Sequence, residues 1–341
     1  MARPAHDLLR RLALGAALAG VLLGASAQEP APPPAPLPAP LPTQEAQGWL
    51  SRISAAANER SYRGTMVFSA EGVVSSSRVA HYCDGKQFLE RVEALDGRQQ
   101  RVYRHNHQVH TVWPQERVVV VERRDAPVGL VSIRRAVEPV ALRSYTLHAQ
   151  DRQRVAGRMA QVLVLRPVDE WRFAQRLWAD VETGLLLRSD VLDPQSRVLE
   201  SSSFSEIEVG ASVVTPAALL DGMKPEGYKE MSSPNRVVDL GSEGWSVRQP
   251  VPGFELMGCL KRPRHGTDRG HVLQAVFSDG LSFVSVFIEP FDAGRHTQAL
   301  AAGLGATGTL MRRKGPHWLT AMGDVPRHTR ERFLRAIEPA R

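Results

Sequence analysis

The chain is short of cysteine, of aromatic residues and of long apolar runs, and each shortage removes a class of protein. Two cysteines, Cys83 and Cys259, in 341 residues exclude a fold stapled by many disulfides. They fall in what read as separate domains, so they can pair only where a domain interface brings them together. The longest uncharged apolar stretch, Leu12–Leu23, is about 12 residues, well below the roughly 20 that span a bilayer. No nucleophile elbow, HExxH, P-loop or dinucleotide fingerprint occurs. The chain therefore reads as a binding protein, not an enzyme, with no catalytic residue and no cofactor. The richest run of metal-type ligands is His105, His107 and His110 in HNHQVH. On a strand His105 and His107 share a face while His110 points away. Neither a carboxylate nor a cysteine lies close in sequence to complete a set, so these read as structural or surface histidines and no metal site is assigned.

What is present at the start is an address. Arg10 and Arg11 precede the apolar run, and Ala25-Ser26-Ala27 follows it. A basic start, a short apolar centre and small residues at the end form a secretory signal peptide over 1–27, with the mature chain starting at Gln28 in the periplasm. The tract PAPPPAPLPAPLP, Pro30 to Pro42, favours extended polyproline conformation and reads as a spacer within a linker over 28–43.

Two domains follow. Thr43 is placed as an N-cap before a helix ending near Arg60, whose apolar face is Trp49, Leu50, Ile53, Ala56 and Ala57. Residues 44–212 then read mainly as short strands broken by Asp84-Gly85, Asp96-Gly97 and Thr183-Gly184, with a helical stretch at Ala126–Glu138. Around Trp171–Asp180, alternation sets Trp171, Phe173 and Leu177 on one face and Arg172 and Arg176 on the other. Residues 213–237 hold three prolines, two glycines and no sustained period, which suits a linker. Residues 238–341 form a smaller α+β unit. In it, Leu281–Glu289 reads as a central strand covered on both faces, after an Asp279-Gly280 turn. Thr297–Leu304 reads as helical, and a last helix starts near Pro326, buries Phe333, Leu334 and Ile337, and stops at Pro339.

The charge sits at one end. The whole chain carries +7, and residues 236–341 hold 15 Lys/Arg against 10 Asp/Glu, which is all of the excess left once the signal peptide is removed. An exported basic domain meets lipid head groups, lipopolysaccharide phosphates or acidic protein segments rather than nucleic acid. The candidate anion-binding residues are Lys261, Arg262 and Arg264 (with His265 beside them), and Arg312, Arg313 and Lys314, both groups at expected hairpin turns. The same clusters also read as ordinary solvated surface charge. Phe68, Trp113 and Trp178 on the large sheet are the candidates for lining a lipid cavity, or else simply fill the core.

Four runs carry a family resemblance: WLSRISAAANERSYRGTMVF from Trp49, WRFAQRLWADVETGLLLRSDVLD from Trp171, SDGLSFVSVFIEP from Ser278 and MGDVPRHTRERF from Met322. Together they resemble the RseB/MucB family of periplasmic sigma-E (AlgU) regulators. The proline tract and the region around Cys83 and HNHQVH depart from it. The resemblance implies an α+β fold: a large unclosed antiparallel β-barrel with helices, like the lipoprotein carriers LolA and LppX, followed by the smaller domain. It also implies a function. Such proteins bind the periplasmic segment of a membrane-spanning anti-sigma factor of the RseA/MucA type, shield it from a site-1 protease, and are displaced by lipid or lipopolysaccharide. A periplasmic lipoprotein or lipid carrier is the alternative that shares the large-domain fold. Oligomeric state, homo-oligomer included, is left open.

Overall fold

A computed structural model describes residues 38–123, 139–232, 235–263, 270–296 and 301–340. The expected signal peptide, the helical stretch at 126–138, Arg264 and His265 lie outside the described residues.

The first helix, α1 (Thr43–Glu59), begins one residue earlier in role than expected: Pro42 occupies the cap position, Thr43 is already helical, and no side chain caps the end. Its buried residues Ala46, Leu50, Ile53 and Ala56 follow the 3.6-residue period. Burying Leu50 and Ile53 contributes about 1.5–3 kcal/mol each. They meet Tyr62, Met66, Leu147, Leu163 and Leu177 in the main core.

Eleven consecutive strands make most of one sheet. These are β1 (Tyr62–Ala70), β2 (Val73–Cys83), β3 (Phe88–Ala94), β4 (Arg101–His105), β5 (Gln108–Trp113), β6 (Val118–Arg123), β7 (Tyr145–Val155), β8 (Arg158–Pro167), β9 (Ala174–Asp180), β10 (Leu186–Leu192) and β11 (Val198–Val209). A short 3-10 turn, Pro139–Arg143, leads into β7. All their pairings are antiparallel, and the spatial order runs β6 to β1, then β11 back to β7. The sheet does not close. It carries a bulge where Thr65 faces Glu206 but Met66 faces Phe204.

The stretch expected as a linker carries structure. Thr215 caps a short helix, α2 (Pro216–Leu220), through its side chain. Strand β12 (Lys229–Ser232) then pairs in parallel with β6 and becomes one edge of the sheet. Leu219 and Met223 are buried against β3, β4, β5 and β6. At the opposite edge the end of the proline tract docks rather than hanging free: Leu41 N donates to Leu147 O at 2.7 Å, and the Pro38 carbonyl lies 2.8 Å from His148 Nδ1. An extended, proline-rich segment suits that position, because proline offers no N–H to template further pairing.

The second sheet has seven strands in the order β13 (Arg236–Val238), β15 (Glu255–Pro263), β16 (His271–Ser278), β17 (Phe283–Pro290), β20 (His317–Gly323), β19 (Thr307–Lys314) and β18 (Ala301–Leu304). Helix α3 (Arg327–Ala336) covers it through Phe333 and Leu334. Strand β14 (Trp245–Val247) pairs with β21 (Ile337–Pro339) as a separate ribbon.

Three expectations are corrected here. Strand β17 is central but buries only alternate residues, Val284, Val286 and Ile288; its other face is half-buried, because Ser285 and Glu289 belong to a wetter side. Of the stretch expected as helix at Thr297–Leu304, residues 297–300 lie outside the described residues and Ala301–Leu304 is an exposed edge strand; its small residues have no apolar stripe to fix a helical face, and pairing with β19 decides the matter. Ile337 leaves the helix to start β21. Cys83 and Cys259 lie in different sheets and both are free; burial pushes the Cys259 thiol up to about 11.

Candidate functional site

Two loops that the sequence keeps far apart meet between the sheets. Arg172 precedes β9, and Asp279 opens the turn between β16 and β17. The side chains of both are fully buried, with Arg172 Nη1 2.9 Å from Asp279 Oδ2. Arg172 also donates to both oxygens of Asp169 at 3.0 and 3.1 Å and to the Pro252 carbonyl at 2.5 Å. Asp279 accepts from Tyr145 Oη at 3.1 Å and from the amides of Leu281 and Ser282 at 2.9 and 2.7 Å. Burial raises the pKa of both Tyr145 and Asp279, while Arg172 pulls each back. A buried ion pair holds only when the remaining donors and acceptors are satisfied as well, and here they are.

Apolar contacts interlock around the pair. Leu281, from the second sheet's turn, belongs to the first sheet's core, and Trp171, from the first, packs on the second core. Arg332 lies over the Trp171 ring at 4.7 Å, and Thr329 Oγ1 donates to the Trp171 carbonyl at 2.9 Å. Gly280 has φ +89°, and a Cβ there would strike Val140 and the Ala141 backbone. Farther along, the turn between β18 and β19 reaches back: Ala306 N donates to Glu200 Oε2 at 3.1 Å. The expectation that Arg172 shares a polar strand face with Arg176 is thus corrected. The strand starts at Ala174, and Arg172 turns into the junction.

A second feature is charged and open. A groove of about 520 Å³ is lined by Arg248, Arg312, Arg313, Lys314, Arg332 and Arg335, with Glu338 as its carboxylate. Three elements supply it: the end of β19, the last turn of α3, and the β14–β21 ribbon. Lys314 Nζ donates to the carbonyls of Arg335 and Ile337, at 3.1 and 2.5 Å, and so caps the negative end of α3. Burial lowers the Lys314 pKa, and the Arg312 charge lowers it further against the pull of Glu338.

The other expected anion-binding residues are placed differently. Lys261 is bound to Glu243 at 2.8 and 3.0 Å, and Arg262 is half-buried on β15, so neither joins the groove. Of the aromatic residues, Phe68 follows Met66 on the core-facing side of β1. Trp113 falls on the same side of the sheet, because Thr111 aligns with Val102, Val92 and Val79 across the strands. Four strand spacings separate β1 from β5, roughly 19 Å. Trp178 joins neither. It faces away from Leu177 into a separate cluster, with its Nε1 on Gln153 at 2.9 Å and Arg188 over its ring.

Among the described residues no group of three His, Cys, Asp or Glu could hold a metal. His107 sits in the turn after Asn106 rather than on the face of His105. His110 is buried beneath the segment that carries α2 and β12, and neither ring nitrogen has a hydrogen-bond partner among the described residues. Burial lowers its pKa below the ordinary 6.5, with Lys224 and His105 lowering it further and Glu230 opposing. As the pH falls through 6.5 the unfolded chain takes up a proton that the folded chain refuses. The stability tied to a neutral His110 is therefore complete above 6.5 and is lost below it, down to the lowered folded value. Thermal midpoints measured from pH 8 to about 5 should fall less for His110→Leu than for the parent chain; parallel curves would contradict this.

Comparison with known proteins bears on the whole arrangement. The family model described as the MucB/RseB N-terminal domain matches residues 45–223, and that of the MucB/RseB C-terminal domain matches residues 239–338. The chain belongs to the MucB/RseB family. The sigma factor AlgU regulatory protein MucB of Pseudomonas aeruginosa is 30% identical over 301 residues, 86% of this chain and 91% of that protein. The sigma-E factor regulatory protein RseB of Escherichia coli is 24% identical over 197 residues, 57% of this chain and 59% of its own length. A crystal structure of MucB in complex with MucA(peri) matches with a TM-score of 0.65 at 26% identity, covering 87% of this chain and 99% of that one. Both MucB/RseB domains are therefore present, the unclosed sheet and the smaller sheet with its helix, and the relatives named here are regulatory proteins. Sequence reading of this MucB/RseB chain found Arg312–Lys314 because they are consecutive. It missed Arg248, Arg332 and Arg335, which fold alone brings to the same groove.

Proposed function

We propose that this chain binds the periplasmic segment of a membrane-spanning anti-sigma factor of the MucA/RseA type and thereby restrains a sigma-E (AlgU) envelope stress response. The reading rests on one observation above the rest: a family member solved with MucA(peri) shares this chain's fold across both domains. The chain acts in the periplasm. Its expected signal peptide supports that reading.

Bound to the segment, the chain shields it from the site-1 protease, and lipid or lipopolysaccharide favours the free state. Linkage makes the two effects reciprocal: a signal that binds the free protein more tightly weakens partner binding by the same factor. Phe68 and Trp113 lie on the core-facing side of the unclosed sheet, and in this reading they are the aromatic residues that an acyl chain would meet.

The test is a cleavage assay with purified site-1 protease and the partner's periplasmic segment. Added mature protein should slow cleavage, and lipopolysaccharide should restore it. Unchanged cleavage at saturating protein would overturn the shielding role, and shielding that lipopolysaccharide leaves intact would overturn the lipid response.

A further inference from the structure

The groove on the second domain holds more positive charge than its structural contacts use. Lys314 caps α3. Arg313 stacks on Phe291 at 3.9 Å and donates to the Gly315 carbonyl at 3.0 Å. Arg332 stacks on Trp171 and reaches the Pro250 carbonyl at 3.3 Å. Arg248 pairs with Glu338 at 3.3 Å, which uses the groove's carboxylate. Arg312 and Arg335 remain. They come from different elements, β19 and α3, both are exposed, and neither has a hydrogen bond, ion pair or ring contact through its side chain among the described residues. Two unpaired guanidinium groups facing one cleft beside four other cations repel each other until an anion enters.

Guanidinium forks suit carboxylate and phosphate alike, so the surroundings decide the class. A lipid head group brings acyl chains, which need apolar surface beside the charge. The large exposed apolar side chains, among them Val73, Val74, Met159, Val237 and Met257, are not part of this groove, and its own Leu334 and Ala336 are buried. The cleft is polar, charged and open, which fits a water-borne chain rather than a lipid.

We propose that this groove docks an acidic peptide segment of the protein partner, with Asp or Glu carboxylates taken by the forks of Arg312 and Arg335. The assignment rests on the reading that the partner is an anti-sigma factor's periplasmic segment, and it deepens that reading by naming a surface. The groove then contributes the salt-sensitive part of the affinity.

The experiment titrates four probes into the mature protein: the partner's periplasmic segment, hexaglutamate, phosphatidylglycerol vesicles and inorganic phosphate. Three variants accompany the parent: Arg312→Glu/Arg335→Glu; Arg312→Lys/Arg335→Lys; and Lys86→Glu/Lys229→Glu, which makes the same change in net charge elsewhere. The reversal should weaken the partner segment about tenfold or more and flatten its salt dependence. The lysine pair should fall between, and the distant reversal should change affinity less than about twofold. Unaltered thermal midpoints show that the variants fold. If the parent binds the partner segment and the groove reversal binds it equally well, the groove assignment is wrong and the functional reading stands. If the parent binds hexaglutamate through the groove but not the partner segment, the functional reading is wrong and the acidic-peptide site stands. Reversal that abolishes binding to phosphatidylglycerol vesicles or inorganic phosphate, yet leaves both peptides unaffected, overturns the acidic-peptide assignment.

Discussion

Arg172→Ala is expected to cost about 3–5 kcal/mol, because it strands Asp279 as an unpaired charge in a fully buried site. In a chain of this size that is a fall in thermal midpoint on the order of 10 °C. The penalty comes from the partner left behind rather than from the pair's own strength. The double variant Arg172→Met/Asp279→Leu should therefore recover only part of the loss, because the Tyr145 hydroxyl and the Leu281 and Ser282 amides lose their acceptor, and Asp169 and the Pro252 carbonyl their donor, at about 1–3 kcal/mol for each group left buried and unmet. Differential scanning calorimetry on the three proteins checks both statements. A single variant within a degree of the parent would mean that the site is open to water and holds nothing together.

Leu281→Ala should cost about 2–5 kcal/mol, the range for emptying a fully buried leucine site. Its location makes the loss informative. Leu281 belongs to the chain of the second sheet but sits in the core of the first. The variant should therefore loosen the junction before it unfolds either sheet. Hydrogen exchange should rise first around Trp171, Asp279 and Thr329, with the centres of β8 and β16 protected as before. Uniform acceleration across both sheets would contradict this. Because Leu281 and Asp279 share a turn, the two losses should not add when combined with Arg172→Ala.

These effects also show where sequence reasoning succeeds and stops. Strand positions in the large sheet were legible because Asp84-Gly85, Asp96-Gly97 and Thr183-Gly184 punctuate alternating runs. The glycines adopt the left-handed conformation that such turns need. Residues 213–237 were not legible, because Leu219 and Met223 are single anchors with no period, and they are fixed only by the sheet they cover. The Arg172–Asp279 pair spans 107 positions and leaves no local signature. Nothing in WRF distinguishes a buried arginine from a solvated one until Ala174, rather than Arg172, starts the strand. The groove was half legible: three consecutive cations at the end of β19 stand out, but Arg248, Arg332 and Arg335 converge only through α3 and the ribbon. Lys261 misled because its partner Glu243 lies 18 residues upstream in an irregular turn.

The junction and the groove play different parts in one account. The buried pair and its interlocking leucine and tryptophan fix how the two sheets face a partner. The groove supplies charge without a fixed occupant. A protein built this way suits the recognition of a segment of another chain. The most direct test is an isothermal titration of the anti-sigma partner's periplasmic segment into the mature protein, with Pseudomonas aeruginosa MucB as the reference binder. Saturable binding by both is the predicted result. Binding by the reference alone, with this chain folded and silent, would contradict the account.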